Sequence, residues 1–503
     1  MTLPEVSASA RTLSAVLAAS LVGAVGVGGA LVLGAVRQII AARYLGPEGF
    51  GILGIAESFE NVLIRVAPLG LTVSVPLLLS RAVAEKRVDR AGRVVGTALA
   101  IGSVLLLGFG AMTFAFADVV GAALGTPEAG PLLRVWSVVI VGLGACQVGS
   151  SILRGLLNIP AATITRDVVP NALVLLGLVG AIMLGLTLPE LGLAYAVGAL
   201  VAAAIAIGWA GLSAARRNIA PRADPGMAGP LLAVTAPTLT MVIAGQLIRQ
   251  VNVPILAATT DATTVGFFSA ALFLATATEG IFTALTLVYM PYASRLLVEG
   301  GRDTLAAVQP AVGRWTYLVS LGPIATLFAL AEPIITLLFG PEYLPGALPL
   351  RIVLIGILVR AVIGPRNSVQ LAIGHGRDVS VNFLAALAAA VVVALVLTPT
   401  TGMTGSAISF AVGFVVRSVL SERQLAAALP GSAIQPRELM AAATILLFVP
   451  AAMLPGTPLT WLGPVTAGVA TVVIFRVTRD ETDDELIAMT RDRLRRRRSR
   501  GDQ

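Results

Sequence analysis

The sequence predicts an all-α polytopic membrane protein of about fourteen transmembrane helices, and three observations predict it. Apolar stretches of roughly 20 residues or more recur along the chain, each long enough to cross a bilayer as a helix. Only 12% of residues are charged and 56% are hydrophobic, against about 25% charged in a soluble domain. The connections between stretches alternate in charge. One set holds Arg81, Lys86, Arg87, Arg90 and Arg93; then Arg154 and Arg166; then Arg216, Arg217 and Arg222; then Arg295 and Arg302; then Arg377; then Arg417, Arg423 and Arg437; and finally the Arg-rich tail. The other set offers Asp118, Glu128, Glu190, Asp261 and Glu342 and almost no Lys or Arg. Positive loops stay in the cytoplasm. The expectation is a multi-pass protein of the cell (cytoplasmic) membrane with both termini cytoplasmic.

The first span, 12–42, is too long for a signal-peptide core and follows Glu5, so it reads as a retained helix. The second, 48–80, is interrupted by Pro68 and Gly70, and the loop charges require it to be one kinked or partly re-entrant crossing. Spans follow at 91–116, 131–157, 160–187, 190–214, 229–258, 263–294, 307–339, 347–374, 378–398 and 403–427. Two more, 438–455 and 458–477, precede the tail. Tilt absorbs the excess length of the longer ones.

The chain reads as a duplication. Ala41-Ala42-Arg43 and Gly49-Phe50-Gly51 resemble Ala257-Ala258-Thr259 and Gly266-Phe267-Phe268. Pro76 with Ser80-Arg81 resembles Pro291 with Ser294-Arg295, and Ser150-Ser151-Ile152 resembles Asn367-Ser368-Val369. All three pairs share an offset of about 215 residues, a unit of six helices. Six crossings preserve orientation, so the halves are expected to be parallel repeats about a pseudo-two-fold axis along the membrane normal. The expected organisation is a lobe at 1–222, a lobe at 223–430, two extra helices at 431–477 and a charged cytoplasmic tail at 478–503.

Near its start the chain reads AARYLGPEGFGILGIAESFENVL, and from Ala331 it reads AEPIITLLFGPEYLPGALPLRI. These segments, with the Arg154-Gly155 stretch, resemble the polysaccharide biosynthesis or oligosaccharide flippase family of the multidrug/oligosaccharidyl-lipid/polysaccharide (MOP) exporter superfamily. The resemblance implies a MATE-like fold and transport of a lipid-linked sugar on a polyprenyl phosphate or pyrophosphate carrier. Other glycan-assembly proteins would be partners alongside membrane lipids. Gly46-Pro47 and Gly340-Pro341 also serve simply as helix stops and turns; they identify the fold, not the site.

An ionisable group inside a membrane helix costs at least about 2.5–3.5 kcal/mol and marks the bundle interior or a cavity. Glu57, Glu60, Asn61 and Arg65 fall on one face of the second span. They read either as a locked Glu–Arg pair or as cavity lining that binds a coupling proton or sodium ion. Arg249 lies in the seventh span, and the repeat offset carries Arg37 to within a turn of it. Together they could clasp a phosphate through planar bidentate donors, or snorkel to the outer interface. Arg360 shares a face with Asn367 and Gln370, and Glu279 requires an arginine from another helix or acts as a protonatable switch. The candidate headgroup residues are Arg37, Arg65, Arg249 and Arg360. The candidate coupling residues are Glu57, Glu60, Asn61 and Glu279.

No HExxH pair, Walker loop or Cys/His cluster occurs. With one histidine, His375, and one cysteine, Cys146, a His-based metal site or triad has no ligands. No catalytic residue, metal or cofactor is expected, and no nucleic-acid partner, since the tail has no folded reader beside it. The expected activity is a flippase working by alternating access. The alternatives are a cation-coupled multidrug antiporter of the same superfamily and a membrane glycosyltransferase. The short outer loops speak against the latter.

Overall fold

The computed structural model describes residues 3–433, with side chains over most of 26–433. The expected spans 438–455 and 458–477, Arg437 and the tail lie outside the described residues. What is described is almost entirely helical. The helices are α1 Leu3–Val66, α2 Leu71–Ala84, α3 Val88–Ala123, α4 Ala129–Gly155, α5 Ile159–Thr163, α6 Val169–Met183, α7 Leu188–Ala215, α8 Pro225–Gln250 and α9 Asn252–Ala257. They continue as α10 Ala262–Ala329, α11 Ala331–Leu338, α12 Ala347–Ile363, α13 Arg366–Ala372, α14 Gly376–Thr401 and α15 Met403–Ala428.

Two of these helices are not single rods. In α1, Gly46 adopts φ 66°, which breaks the helix. Arg37 and Glu57 then meet at 3.2 Å. In a straight helix they would stand about 30 Å apart, so the chain folds back at Gly46. Gly supplies the left-handed conformation cheaply, and Pro47 tolerates the first turn of the returning segment. Gly301, φ 72°, does the same in α10, where Tyr289 bonds Gln309 at 2.5 Å. Among the described residues ten helices are long and apolar enough to cross a membrane, or eleven if Gly301–Ala329 and Ala331–Leu338, bent by 77°, form one span. The expected fourteen is not reached among them. The count takes the two segments that fold back on each other at Gly46 as one stretch, Gly28–Ala84, and two expected spans lie outside the described residues.

Polarity is distributed as a bilayer demands. Val104, Leu107, Phe114, Phe116 and Val119 of α3 point outward, as do Val381, Val392, Leu395 and Val396 of α14. Such continuous apolar exposure has no place on a water-soluble surface. The charged and polar groups lie inside or on the connections. Arg81, Arg87, Arg93, Arg216, Arg217, Arg222, Arg377 and Arg423 are exposed at or near helix ends. Arg417 differs: sequence placed it among the loop arginines, but it is buried midway along α15, 4% exposed.

The chain divides into two compact units, Met1–Ser269 with Thr398–Met403, and Ala270–Leu397 with Thr404–Gln503. In the first, helices approach through small residues, which lets backbones pack without a hydrophobic drive. A Cβ on Gly142 would lie 2.8 Å from the Ala199 backbone, and one on Gly149 would lie 3.0 Å from that of Ala206. The tightest crossing joins the start of α10 to the returning half of α1. There a Cβ on Gly51 would meet the Ala262 carbonyl at 1.8 Å, and one on Gly266 the Pro47 carbonyl at 1.9 Å. In the second unit, α12 crosses α15 at Gly356, where a Cβ would stand 2.6 Å from Ala411 Cα.

Candidate functional site

The first unit holds a cluster built on the fold-back at Gly46. Arg37 lies nine residues before the turn and Glu57 eleven after it, so the antiparallel halves bring them level. Arg37 Nη2 donates to Glu57 Oε1 at 3.2 Å, and Gln38 Nε2 donates to Oε2 at 2.6 Å. The Arg37 guanidinium lies 5.6 Å from the Tyr195 ring centroid. One turn on from Glu57, Glu60 is buried and accepts a 2.8 Å bond from Trp136 Nε1. Trp136 and Tyr195 pack with ring centroids 5.1 Å apart. Burial strengthens such charge-assisted bonds, since water no longer competes.

The same-face reading of the second span thus divides. Glu57 and Glu60 share the cluster, but Glu57 is engaged by Arg37 rather than Arg65. Asn61 Nδ2 donates to the Glu57 carbonyl of its own helix at 2.9 Å. Arg65 is exposed, forms no ion pair among the described residues, and lies within electrostatic range of Arg166 and Asp167. Those two pair bidentately, at 2.9 and 2.8 Å, inside a π-helical turn at Ile164–Val168. Single π turns insert an extra residue and recur at functional sites. Arg154 donates to Ser151 Oγ at 3.2 Å, while Ser150 and Ser151 bond back to the Gln147 carbonyl. Arg249 is half-buried in the last turn of α8.

The second unit holds a different cluster. Arg360, in the last turn of α12, pairs with buried Glu279 of α10. Its guanidinium lies 4.0 Å from the Phe282 centroid and 5.6 Å from that of Phe414. The expected tenth span breaks at Gly364, φ 76°, and resumes as α13. That break carries Arg366 into the interior, where it meets Glu422 at 2.7 Å and the Ser432 carbonyl at 2.6 Å. Ser421 Oγ lies 2.7 Å from both Asn367 Oδ1 and Gln370 Oε1. Gln424 bridges Gln370 and Asn382. A cavity of about 70 Å³ opens among α10, α12, α13 and α15.

Sequence reasoning named Glu57, Glu60 and Glu279 and most of the arginines, but not Glu422, Gln38, Trp136 or Tyr195. Counting outward from Gly46 would have found the Gln38–Glu57 register. Trp136 and Tyr195 carried no signal beyond being polar-tipped aromatics in apolar runs. Among the described residues no three His, Cys, Asp or Glu side chains group as a metal site.

Comparison with known proteins supports the same frame. The sequence profile of the polysaccharide biosynthesis protein family matches residues 16–297. Curated proteins give no match. Among solved structures, the lipid II flippase MurJ in an inward closed conformation superposes with TM-score 0.70 at 14% identity, over 91% of this chain and 97% of that one. An inward-facing multidrug resistance MATE family transporter of the MOP superfamily gives 0.65 at 16% identity, over 83% and 95%. A MOP superfamily transporter from Pyrococcus furiosus, described for the reverse polarity of its binding pocket, gives 0.54 at 17%, over 80% and 96%. These likenesses establish a MATE-like fold. A profile spanning more than half of a multi-span chain with that fold goes further: this protein belongs to the polysaccharide biosynthesis protein family.

Proposed function

We propose that this chain is a flippase that moves a lipid-linked sugar or oligosaccharide from the cytoplasmic to the outer leaflet by alternating access. The carrier would be a polyprenyl phosphate or pyrophosphate, and the product would feed cell-surface polysaccharide or glycan assembly. The chain would hold both termini in the cytoplasm, with lobes at 1–222 and 223–430. The observation that carries this reading is family membership on a bundle that buries guanidinium groups within the bilayer span. An anionic headgroup needs such groups, because bare phosphate in hydrocarbon is prohibitively costly. Arg37, Arg65, Arg249 and Arg360 are assigned to the headgroup. Arg37 and Arg360 each give one terminal nitrogen to Glu57 and Glu279, which leaves further guanidinium donors for phosphate. Arg65, exposed and without an ion pair among the described residues, is the readiest first contact. Glu57, Glu60, Asn61 and Glu279 are assigned to cavity lining and ion coupling. A lipid-linked substrate, membrane lipids and glycan-assembly enzymes would be the partners, with no enzymatic step in this chain.

The test is flipping of a labelled polyprenyl-linked oligosaccharide in proteoliposomes containing only this protein. Protein-dependent transfer, weakened in Arg37→Ala and Arg249→Ala, is the expected result. Unchanged transfer in the double variant would remove the headgroup assignment. Glu57 and Glu60, one turn apart in one buried cluster, favour a second reading, a cation-coupled multidrug antiporter. Proton-driven efflux of small cations, with no movement of lipid-linked sugars, would establish it instead.

A further inference from the structure

Among the described residues, the cavity of the second unit is lined by one guanidinium that no carboxylate meets. Arg360 is matched by Glu279, and Arg366 by Glu422. Arg417 also lines the cavity, is 4% exposed, and receives no hydrogen bond acceptor or carboxylate among the described residues. Its guanidinium is instead sandwiched near two aromatic rings, 4.9 Å from the Phe383 centroid and 4.8 Å from that of Phe414. Ring quadrupoles attract a cation but recover only part of its hydration. Arg417 lies 14 residues into a 26-residue helix, about 20 Å from its start, and its 4% exposure leaves little of it to water.

The surroundings complete an anion site. Ser418 and Ser421 lie on the same stretch of α15, and Asn367 and Ser368 come from the segment after the Gly364 break. The cavity, about 70 Å³, is roughly five times what one water requires. That suits the few heavy atoms of a phosphate group. We propose that this cavity binds a single phosphate group, with Arg417 as its charge partner and Arg360 and Arg366 beside it. The group belongs either to the lipid carrier or to free inorganic phosphate. The site stands on the geometry of the second unit alone and does not depend on the flippase reading.

The experiment uses the purified full chain in nanodiscs, in buffer free of phosphate and chloride, with radiolabelled inorganic phosphate as the probe in equilibrium dialysis. The expected result is saturable binding of one phosphate per chain, weakened at least about tenfold in Arg417→Gln. Arg417→Lys, which keeps the charge but loses the planar fork, should bind with intermediate affinity. It also covers the case in which Arg417→Gln fails to fold. No saturable binding by the wild type, or equal binding by wild type and Arg417→Gln, overturns the proposal. Unlabelled polyprenyl phosphate then separates the sources. Displacement of the label assigns the site to the lipid headgroup, and undisturbed binding assigns it to the free ion. Because binding is read without transport, a failed flipping assay and a failed phosphate site are distinguishable.

Discussion

The two buried clusters solve one problem in opposite ways. In the first unit two carboxylates surround one guanidinium, and Gln38, Trp136 and Tyr195 supply the remaining contacts. Around the cavity of the second unit, among the described residues, Arg360 and Arg366 meet Glu279 and Glu422, while Arg417 meets aromatic rings in place of a carboxylate. The first cluster matches its guanidinium with a carboxylate, although Arg37 Nε, Gln38 Oε1 and Tyr195 OH have no hydrogen-bond partner among the described residues. The second is organised around a vacancy in charge. Burial alone therefore does not say what a charged residue does; the balance of its partners does.

The most severe way to break this contrast is to remove Arg37. Arg37→Ala strands Glu57 in a part-buried site and should lower unfolding stability by about 3–5 kcal/mol. The double variant Arg37→Ala with Glu57→Gln should recover much of that loss, and thermal melts of the set in nanodiscs would show it. Equal melting of wild type and Arg37→Ala would mean that the pair contributes nothing. A smaller loss is expected from Trp136→Phe, which keeps the ring but leaves Glu60 without its donor. A bond to a charged group is worth about 1.5–3 kcal/mol, and melting midpoints read it directly. The opposite sign is expected in the second unit. Arg417→Met should leave phosphate-free stability unchanged or raise it by up to about 2 kcal/mol, since a buried unmatched charge disappears while packing is kept. A clear loss would show that Arg417 is structural.

The mildest case lies outside both clusters and calibrates them. Asp261 accepts a 2.8 Å bond from Thr264 N at the start of α10. Hydrogen bonds from the Thr264 side chain and backbone hold its carboxyl below the usual carboxylate range. Asp261→Ala should cost at most about 1 kcal/mol, reduced by exposure to water. A depressed folded-state pKa means that this contribution is present above the unfolded value and lost as pH falls through the folded one. The wild-type advantage should therefore shrink under acid; an advantage independent of pH would assign it to something other than the carboxylate.

Much of the fold was legible because its rules are coarse. Apolar length needs no partner information, and the succession of long helices follows from it. The site was legible only in part. Helical periodicity correctly put Glu57 and Glu60 together, yet suggested Arg65 as their counter-charge, because spacing along one helix carries no knowledge of the neighbouring one. The true partner of Glu57 was encoded by distance from Gly46. The Glu279–Arg360 pair, 81 residues apart, has no such local ruler. Arg417 was misplaced because a single arginine near the end of an apolar run reads the same whether it flanks the membrane or lies within it.

The fold-back at Gly46 has one more consequence. Arg37 and Glu57 lie level only because the turn between them has its present length. Adding one residue after Gly46 would rotate everything beyond it by about 100° about the helix axis, carrying Glu57 off Arg37 and Gly51 off the Ala262 carbonyl at the same stroke. The turn acts as the escapement of the first unit: its length sets the phase of two contacts at once. Epitope tags and fluorescent labels for topology mapping therefore belong in the exposed connection at Arg216–Asn218, and not in the loop that contains Gly46.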